Sequence, residues 1–371
     1  MNEMTRREFG MTMEKIERRQ CLSGLAGMFA TSLAARHGFA AAPSDEIKAM
    51  LLHLGRNWWG WPVPDGFQSK NFDANYELAR RLETDESAWR RLTARAAERG
   101  LNMIVVDINE ALRFPSHPEI AVEGAWNADK MRNEVRRLRA SGLEPIPKLN
   151  FSTTHSGWLG IYQNMLATRR YYSVCADIIR DVAEIFETPR FFHVGFDEES
   201  VSSQQDSNRT LGIVVRKEDL WWHDFKYIVG EVERRGMRAW MWSDRAWHHE
   251  DFFGRCPRSV LQSNWFYDES NGGFDLETNK TADRKILETF LKLDKAGFDQ
   301  VPCGTNWAGW GRRKAGVGGD DIIGRLVRFS RENIAADRLK GFLMTSWKRC
   351  DKPENEKCSA QAIDLAAHAM I

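Results

Sequence analysis

The chain has 371 residues, which exceeds a typical single domain but suits one β/α barrel of roughly 250 residues with insertions. It carries 53 Lys and Arg against 52 Asp and Glu, and this balance gives no charge excess for binding nucleic acid or an anionic membrane. A mean hydropathy of −0.51 indicates a soluble protein. The 15 tryptophans are unusually many; aromatic faces suit the apolar faces of sugar rings, although tryptophan also fills cores.

Residues 1–42 are predicted to be a targeting segment rather than part of the fold. Arg18-Arg19 precedes an uncharged, largely apolar run over 21–35, and small residues follow at 38–42. The paired arginines indicate twin-arginine export, although a second pair, Arg6-Arg7, has no apolar run directly behind it. The run of about 15 residues is too short for a bilayer, which needs about 20. We expect a periplasmic or extracellular protein without a stable membrane span; an uncleaved anchor or a disordered tail is the alternative.

From residue 45 onward, short apolar runs alternate with amphipathic segments. The predicted strands cover 50–56, 102–107, 144–150, 190–196, 238–244, 259–265, 299–304 and 341–347. The predicted helices cover 85–99, 128–140, 168–186, 217–235, 282–296 and 320–335, and a last helix follows Cys358. Helices between strands force parallel pairing, and eight such units close into a single (β/α)8 TIM barrel over residues 45–371. The connection at 247–257 is short, and we do not expect a full helix there.

Polar and aromatic residues follow almost every predicted strand, at the end of the barrel where enzymes of this fold place their active sites. These candidate substrate-binding and catalytic residues are Arg56, Asp107, His155, Asp197, Glu198, Trp242, Asp244, Trp265, Tyr267, Trp307 and Trp347. Each has a simpler explanation as well, such as a rim ion pair for Arg56 or packing at the barrel mouth for a tryptophan. His193 lies two residues inside a strand end, so it is either a core imidazole or a substrate contact.

The fourth strand ends in the acids Asp197, Glu198 and Glu199. Carboxylates cannot lie unpaired in an apolar core, so we expect them at the mouth of the strand; a solvated acidic loop is the alternative. We expect Glu199 to be a solvated or capping residue of the next loop. Adjacent acids can serve as a proton donor and an ionised group when their environments separate their pKa values.

A second carboxylate is missing where an ordinary retaining glycosidase would need it. Such enzymes use a nucleophilic carboxylate about 5–5.5 Å from the acid, usually supplied from elsewhere in the fold. At the end of the predicted seventh strand this chain offers Asn306-Trp307 instead. This favours a route in which the substrate supplies its own nucleophile.

The segment His193-Val194-Gly195-Phe196-Asp197-Glu198 resembles the His-x-Gly-Gly-Asp-Glu signature of family 20 glycoside hydrolases, the β-N-acetylhexosaminidases. Looser resemblances extend over roughly residues 47–350; they comprise the strand of Arg56, Asp107 to Arg113, Pro147 to Trp158, Asn264 to Tyr267, and Gly341 to Trp347. Two positions depart from the family pattern: Phe196 replaces the second Gly, and Thr154 replaces the Gly of a Gly-His pair. We also expect no counterpart of the family's usual N-terminal α+β domain.

The resemblance implies substrate-assisted, retaining removal of terminal β-linked N-acetylhexosamine from a glycan. Glu198 would act as acid and then base, Asp197 would orient the 2-acetamido group, and Tyr267 would hydrogen-bond the acetamido oxygen. The residues implied to wall the sugar site are Trp242, Trp265 and Trp347, with Arg56 on sugar hydroxyls. A retaining glycosidase on a sugar without an acetamido group, and a non-hydrolytic glycan-binding barrel, are the alternatives.

Cysteine and histidine spacing predicts neither a metal nor a cofactor. No CxxC motif or Cys/His cluster has the spacing of a zinc site, and the doublet His248-His249 has no partner motif. In an oxidising compartment Cys350 and Cys358 could form a local disulfide.

Overall fold

Strands and helices alternate along the residues that the computed structural model describes, which are 46–57, 77–206, 214–267, 273–280, 283–306 and 322–371. The predicted targeting segment and Trp307 lie outside these described residues. The strands are β1 (Ile47–His53), β2 (Met103–Asp107), β3 (Glu144–Lys148), β4 (Phe191–Gly195), β5 (Arg238–Trp242), β6 (Leu261–Ser263), β7 (Cys303–Thr305) and β8 (Gly341–Arg349). The helices are α1 (Glu86–Glu98), α2 (Ala128–Ala140), α3 (Arg169–Ile185), α4 (Val201–Asp206), α5 (Glu218–Glu233), α6 (Phe252–Arg255), α7 (Arg284–Lys295), α8 (Ile322–Asn333) and α9 (Pro353–Met370).

All the strands pair in parallel, in the order β6-β5-β4-β3-β2-β1-β8-β7. The two outermost strands of this order meet through bridges between Gln262 and Gln300 and between Trp265 and Cys303. The Cys303 N–H donates to the Asn264 carbonyl oxygen at 2.9 Å across the same junction. These contacts bring the sheet round on itself, so the predicted (β/α)8 barrel is confirmed.

The β1 strand shows how the sequence builds two apolar layers. Successive side chains of a strand point to opposite faces, so Ala49 and Leu51 lie inside the barrel while Met50 and Leu52 face the helices. The interior layer continues with Val105, Ile146, Leu261 and Leu343 from other strands. Because both faces are covered, the strands read as continuous apolar runs rather than alternating ones.

The helix boundaries follow the sequence signals closely. Helix α2 covers the predicted residues, and Asn127 caps it by accepting a hydrogen bond from the Lys130 N–H. Thr168 caps α3 in the same way through the Tyr171 N–H. Helix α6 has only four residues, in agreement with the short connection expected there.

Two helices differ from the prediction. Helix α4 occupies part of the segment expected to be a polar loop, because its serines and glutamines give no apolar periodicity. Helix α9 begins at Pro353 instead of after Cys358, since proline at the first helical turn needs no N–H partner.

The proposed disulfide is wrong, since Cys350 and Cys358 are both free thiols. The early start of α9 turns Cys358 towards the end of β7, where its Sγ lies 3.5 Å from the Asn306 amide nitrogen. The same Asn306 amide donates to the Cys358 carbonyl oxygen at 2.8 Å. No helix among the described residues is both long enough and apolar enough to cross a membrane.

Candidate active site

The backbone is strained where β4 leaves the barrel. Gly195, Phe196 and Glu198 have left-handed φ angles of 73°, 70° and 54°, and for the two residues with side chains this costs about 1–3 kcal/mol each. A Cβ at Gly195 would lie 2.0 Å from Oδ1 of Asn150, so only glycine fits that position. Strain of this kind is kept where the surrounding contacts fix a side chain for function.

Phe196 points away from the barrel mouth. Its ring lies 5.4 Å from that of Trp221 and 5.1 Å from that of Phe225, both on α5, and it is buried. The large residue at the second position of the Gly-Gly pair therefore packs into the helix layer and leaves the space beside the acids open.

Asp197 lies buried at the end of β4, and both of its carboxylate oxygens have partners. Asn150 Nδ2 donates to Oδ1 at 2.6 Å, and His155 Nε2 lies 3.3 Å from Oδ2. Burial opposes the charge, but the positive charges of His155 and Lys148 and the Asn150 hydrogen bond outweigh it and lower the pKa of Asp197. Asp197 is therefore an ionised group at neutral pH.

His155 joins the two acids that the sequence singled out. Its Nε2 also lies 3.2 Å from Oε2 of Glu198, and its side chain is 1% exposed. Burial disfavours the charged imidazole, yet the charges of Asp197 and Glu198 dominate and raise the pKa of His155 to about 10. A protonated imidazole thus lies between the two carboxyl groups at neutral pH.

Glu198 is the more accessible acid, with 35% of its side chain exposed. Its backbone is held on both sides: its N–H donates to Oδ2 of Asp244 at 2.7 Å, and its carbonyl oxygen accepts from Thr154 Oγ1 at 2.6 Å. The threonine that replaces a glycine of the family pattern therefore supplies a hydrogen bond to the acid segment.

Asp244 is buried beside the same acids. Its Oδ1 has no hydrogen-bond partner among the described residues, while Oδ2 accepts the Glu198 N–H. Burial, together with the charges of Asp197 and Glu198, raises the pKa of Asp244 well above its ordinary value. Its direct contact is with the Glu198 backbone, and a role in sugar binding stays a prediction.

Aromatic rings from β5, β6 and β8 lie together at the mouth. Trp242 lies 5.8 Å from both Trp265 and Trp347 between ring centroids, and Trp347 Nε1 donates to the Tyr267 hydroxyl oxygen at 3.1 Å. Burial raises the pKa of Tyr267 well above its ordinary value, and the Glu198 charge adds to this shift. The aromatic wall therefore lies close to the acids. The structure thus brings these four predicted residues together.

His193 is fully buried beneath that wall, as the core-imidazole alternative expects, and its role as a substrate contact stays a prediction. Its Nδ1 accepts the Gly195 N–H at 3.2 Å, and its ring lies 4.5 Å from that of Trp242. Burial and the nearby Lys148 charge lower its pKa well below the ordinary value, so it is neutral.

Asp107 lies in a buried network rather than on an open surface. It is 0% exposed and lies 2.7 Å from His53 Nδ1, 2.9 Å from Lys148 Nζ and 3.0 Å from Asn109 Nδ2. The charge of Lys148 and the His53 hydrogen bond overcome the effect of burial and lower the Asp107 pKa. Substrate binding by Asp107 stays a prediction.

Arg56 is engaged at the rim. Its Nη1 lies 2.7 Å from the Glu83 carboxylate, and its Nη2 donates to the Glu77 carbonyl oxygen at 2.8 Å. These contacts match the rim ion pair considered as the alternative, and sugar binding by Arg56 stays a prediction. Trp307 lies outside the described residues.

The expectation of a solvated Glu199 is wrong. Its side chain is 3% exposed and forms a bidentate ion pair with Arg216, through distances of 2.9 Å and 2.6 Å. Arg216 lies 17 residues further along the chain, and nothing in the sequence pattern connects it with Glu199.

Three contributors to the site were missed in the sequence. Lys148 and Asn150 stand at the end of an apolar strand, where a buried charge or amide requires a partner, and that signal could have marked them. Trp247 gave no signal, because it ends a short 3₁₀ helix (Asp244–Trp247) after β5 that the sequence pattern did not predict. Its ring is 4.7 Å from that of Trp265, and its Nε1 donates to Asn264 Oδ1 at 2.7 Å.

One group of described residues has the spacing to hold a cation. His155, Asp197 and Glu198 offer ligand atoms that lie within 4.8 Å of one another. A protonated imidazole has no lone pair for a metal, so the raised His155 pKa disfavours a cation there. The prediction of no metal site is consistent with this chemistry and stays a prediction.

The fold and the carboxylates at its mouth define a (β/α)8 barrel with an acid-lined site. No family model and no curated protein sequence matches the chain. Solved structures do match its fold. A β-N-acetylhexosaminidase from Bacteroides fragilis superposes with a TM-score of 0.59 at 11% identity, over 88% of this chain and 65% of that one.

Two further neighbours show the same similarity. A family 20 exo-β-N-acetylglucosaminidase from Vibrio harveyi, in complex with N-acetylglucosamine, has a TM-score of 0.56 at 15% identity, over 89% of this chain and 55% of that one. Dispersin B has a TM-score of 0.53 at 15% identity, over 79% of this chain and 96% of that one. The chain thus spans between about half and two thirds of the length of the first two proteins, and the resemblance seen in the signature extends to the fold.

Replacing Asp244 by asparagine should stabilise the protein by an amount that grows with pH. Because the folded-state pKa is raised, the folded protein keeps a proton that the unfolded chain releases near the ordinary value of about 3.9. The wild type therefore loses stability as pH rises above that value, whereas asparagine does not titrate and still accepts the Glu198 N–H. Calorimetric Tm values between about pH 4 and pH 8 should show the variant's advantage widening.

Asp337→Asn is the matched control, because the Asp337 side chain is 75% exposed. Its Tm difference from the wild type should stay flat over the same range. An Asp244→Asn difference that is constant or narrows with pH would contradict a raised pKa for Asp244.

Proposed function

We propose that this protein is a glycoside hydrolase that removes terminal β-linked N-acetylhexosamine, with N-acetylglucosamine the first candidate, by substrate-assisted retaining catalysis. The observation that carries the proposal is the pairing of Asp197 and Glu198 around one buried imidazole, beside a wall of tryptophans. The fold similarity to hexosaminidases supports it.

In the first step the substrate supplies the nucleophile. Glu198, the exposed acid of the pair, donates its proton to the glycosidic oxygen, and the bond from that oxygen to the anomeric carbon breaks. The acetamido carbonyl oxygen attacks the same carbon and closes an oxazolinium ring. Asp197 accepts the acetamido N–H and, being ionised, stabilises the positive charge that develops there.

In the second step water opens the ring. The Glu198 carboxylate takes a proton from the water as its oxygen attacks the anomeric carbon, which regenerates both the acid and the acetamido group with retention. Between the steps the Glu198 carboxylate lies beside His155, whose Nε2 is 3.2 Å from Oε2. Trp242, Trp265 and Trp347 give the acetamido methyl and the sugar face an apolar surface.

Glu198→Gln should lose activity according to the leaving group. On N,N′-diacetylchitobiose, whose leaving alcohol needs a proton, kcat/KM should fall on the order of 1,000-fold. The p-nitrophenolate of the p-nitrophenyl glycoside leaves without a proton donor. The loss of activity on this substrate should therefore be smaller, and it should arise only in the second step, where water attacks. Asp197→Asn should lower the rate on both substrates alike, because it acts on the acetamido group.

Glu144→Gln is the control, because Glu144 pairs with Arg190 at the opposite, N-terminal end of the barrel strands. It should leave both rates unchanged. Binding of N-acetylglucosamine without turnover of any N-acetylhexosaminide by the wild type would overturn the proposal and favour a glycan-binding barrel.

One observation favours a second candidate, a retaining glycosidase on a sugar without an acetamido group. One carboxylate oxygen of Asp197 and one of Glu198 lie within 4.8 Å of each other, and double displacement needs two carboxyl groups close together, ~5–5.5 Å apart. Asp197 would then be the nucleophile. A 2-fluoro glycoside that labels Asp197 would support this candidate, and inhibition by an N-acetylglucosamine thiazoline without labelling would support the first.

We further propose that residues 1–42 direct export through a twin-arginine route. Arg18→Lys with Arg19→Lys should leave the protein uncleaved in the cytoplasm of a bacterial host, because that route recognises paired arginines. Cell fractionation with N-terminal sequencing measures this, and Arg6→Lys with Arg7→Lys is the matched control, which should be exported and cleaved. Normal export of the first variant would contradict the proposal.

A further inference from the structure

A buried ion pair that the proposed reaction does not use lies directly behind the acids. The side chains of Glu199 and Arg216 are 3% and 1% exposed. Arg216 donates from Nε to Oε1 of Glu199 at 2.9 Å and from Nη2 to Oε2 at 2.6 Å, and its backbone N–H donates to Oε1 at 2.8 Å. Bidentate geometry with extra hydrogen bonds is the arrangement in which attraction best offsets the cost of burying two charges.

The pair ties together the segments on both sides of the site. Arg216 Nη2 donates to the Phe151 carbonyl oxygen at 2.9 Å, after β3, and Nη1 lies 3.1 Å from Oδ2 of Asp224 on α5. Oε2 of Glu199 also accepts the Thr153 N–H at 3.1 Å. The guanidinium lies 5.0 Å from the centre of the Phe196 ring.

These contacts bracket the strained backbone. Phe196 and Glu198, on either side of Asp197, both have left-handed φ angles, and such residues persist only where their surroundings over-determine them. The Arg216 guanidinium packs against the Phe196 ring on one side of Asp197. It also binds the carboxylate of Glu199, the residue that follows Glu198. Without the ion pair, the strained backbone of Phe196–Glu199 can relax. That relaxation would turn the carboxyl groups of Asp197 and Glu198 away from the substrate.

We propose that Glu199 and Arg216 form a positioning clamp that holds the strained Phe196–Glu198 segment in its catalytic conformation. This inference rests on the proposed hydrolase function. The clamp touches neither sugar nor reacting atoms, and the tryptophan wall that binds the sugar comes from other strands. Loss of the clamp therefore affects the rate of the chemical steps far more than substrate binding.

Glu199→Gln tests the clamp on the p-nitrophenyl β-N-acetylglucosaminide, at a temperature well below the variant's Tm. We expect kcat to fall about 100-fold, as for a displaced catalytic group. KM should change by less than roughly threefold, since the tryptophan wall and Tyr267, which come from other strands, remain in place. An unchanged kcat in a folded variant would overturn the clamp.

A triple variant keeps the test falsifiable if Glu199→Gln is unstable. Glu199→Gln leaves Arg216 with Asp224 as its buried counter-ion, whereas Glu199→Gln with Arg216→Met and Asp224→Asn leaves no charge in this network and should restore much of the Tm. The clamp predicts that kcat stays low in this triple variant. Recovery of kcat together with Tm would show that the pair serves stability alone.

Glu134→Gln is the matched control. Glu134 also has a nearly buried side chain, accepts from Trp89 Nε1 at 2.7 Å and pairs with Arg137, but on the outer helices α1 and α2. It should lower Tm and leave kcat unchanged. A wild type inactive on every glycoside defeats the proposed function itself, whereas an active wild type with an unaffected Glu199→Gln defeats only the clamp.

Discussion

The arrangement of the barrel mouth depends on the contact of one buried imidazole with two carboxylates. His155 lies 3.3 Å from Asp197 and 3.2 Å from Glu198, in a place where a charge on the imidazole alone or on Asp197 alone would be costly. The protonated ring makes an ionised Asp197 tolerable there, and it holds Glu198 beside it. The pKa of Asp244 moves in the opposite direction, because burial and the charges of Asp197 and Glu198 raise it. The imidazolium of His155 thus helps to separate the pKa values of Asp197 and Asp244, which lie beside the same site.

A second constraint is conformational. Presenting two consecutive side chains from one strand end requires left-handed backbone on either side of Asp197, and Gly195 is needed because Asn150 occupies the space of a Cβ. Asn150 and Asp244 accept hydrogen bonds from the Phe196 and Glu198 N–H groups, and Thr154 donates one to the Glu198 carbonyl oxygen. The Glu199–Arg216 clamp lies behind these contacts. The site is therefore built from rigid strand ends, as precise catalysis requires.

The sequence predicted most of the fold because its signals were local. Apolar runs, helix caps such as Asn127 and Thr168, and the alternation of strands with helices were enough for a barrel. It also predicted where the acids and tryptophans meet, since strand ends share one rim. It did not predict which of those groups pair with each other. The Glu199–Arg216 contact and the outward turn of Phe196 depend on tertiary packing that no short-range pattern encodes.

The protonation state of His155 tests the central claim most directly. Nitrogen-15 NMR of the imidazole, assigned by comparison with a His155→Gln variant, reports whether the ring is charged as pH rises. The account predicts an imidazolium through neutral pH, with titration only as pH approaches about 10. Titration near the ordinary histidine value of about 6.5 would contradict it, because the ring would then not carry the charge that holds Asp197 and Glu198 together.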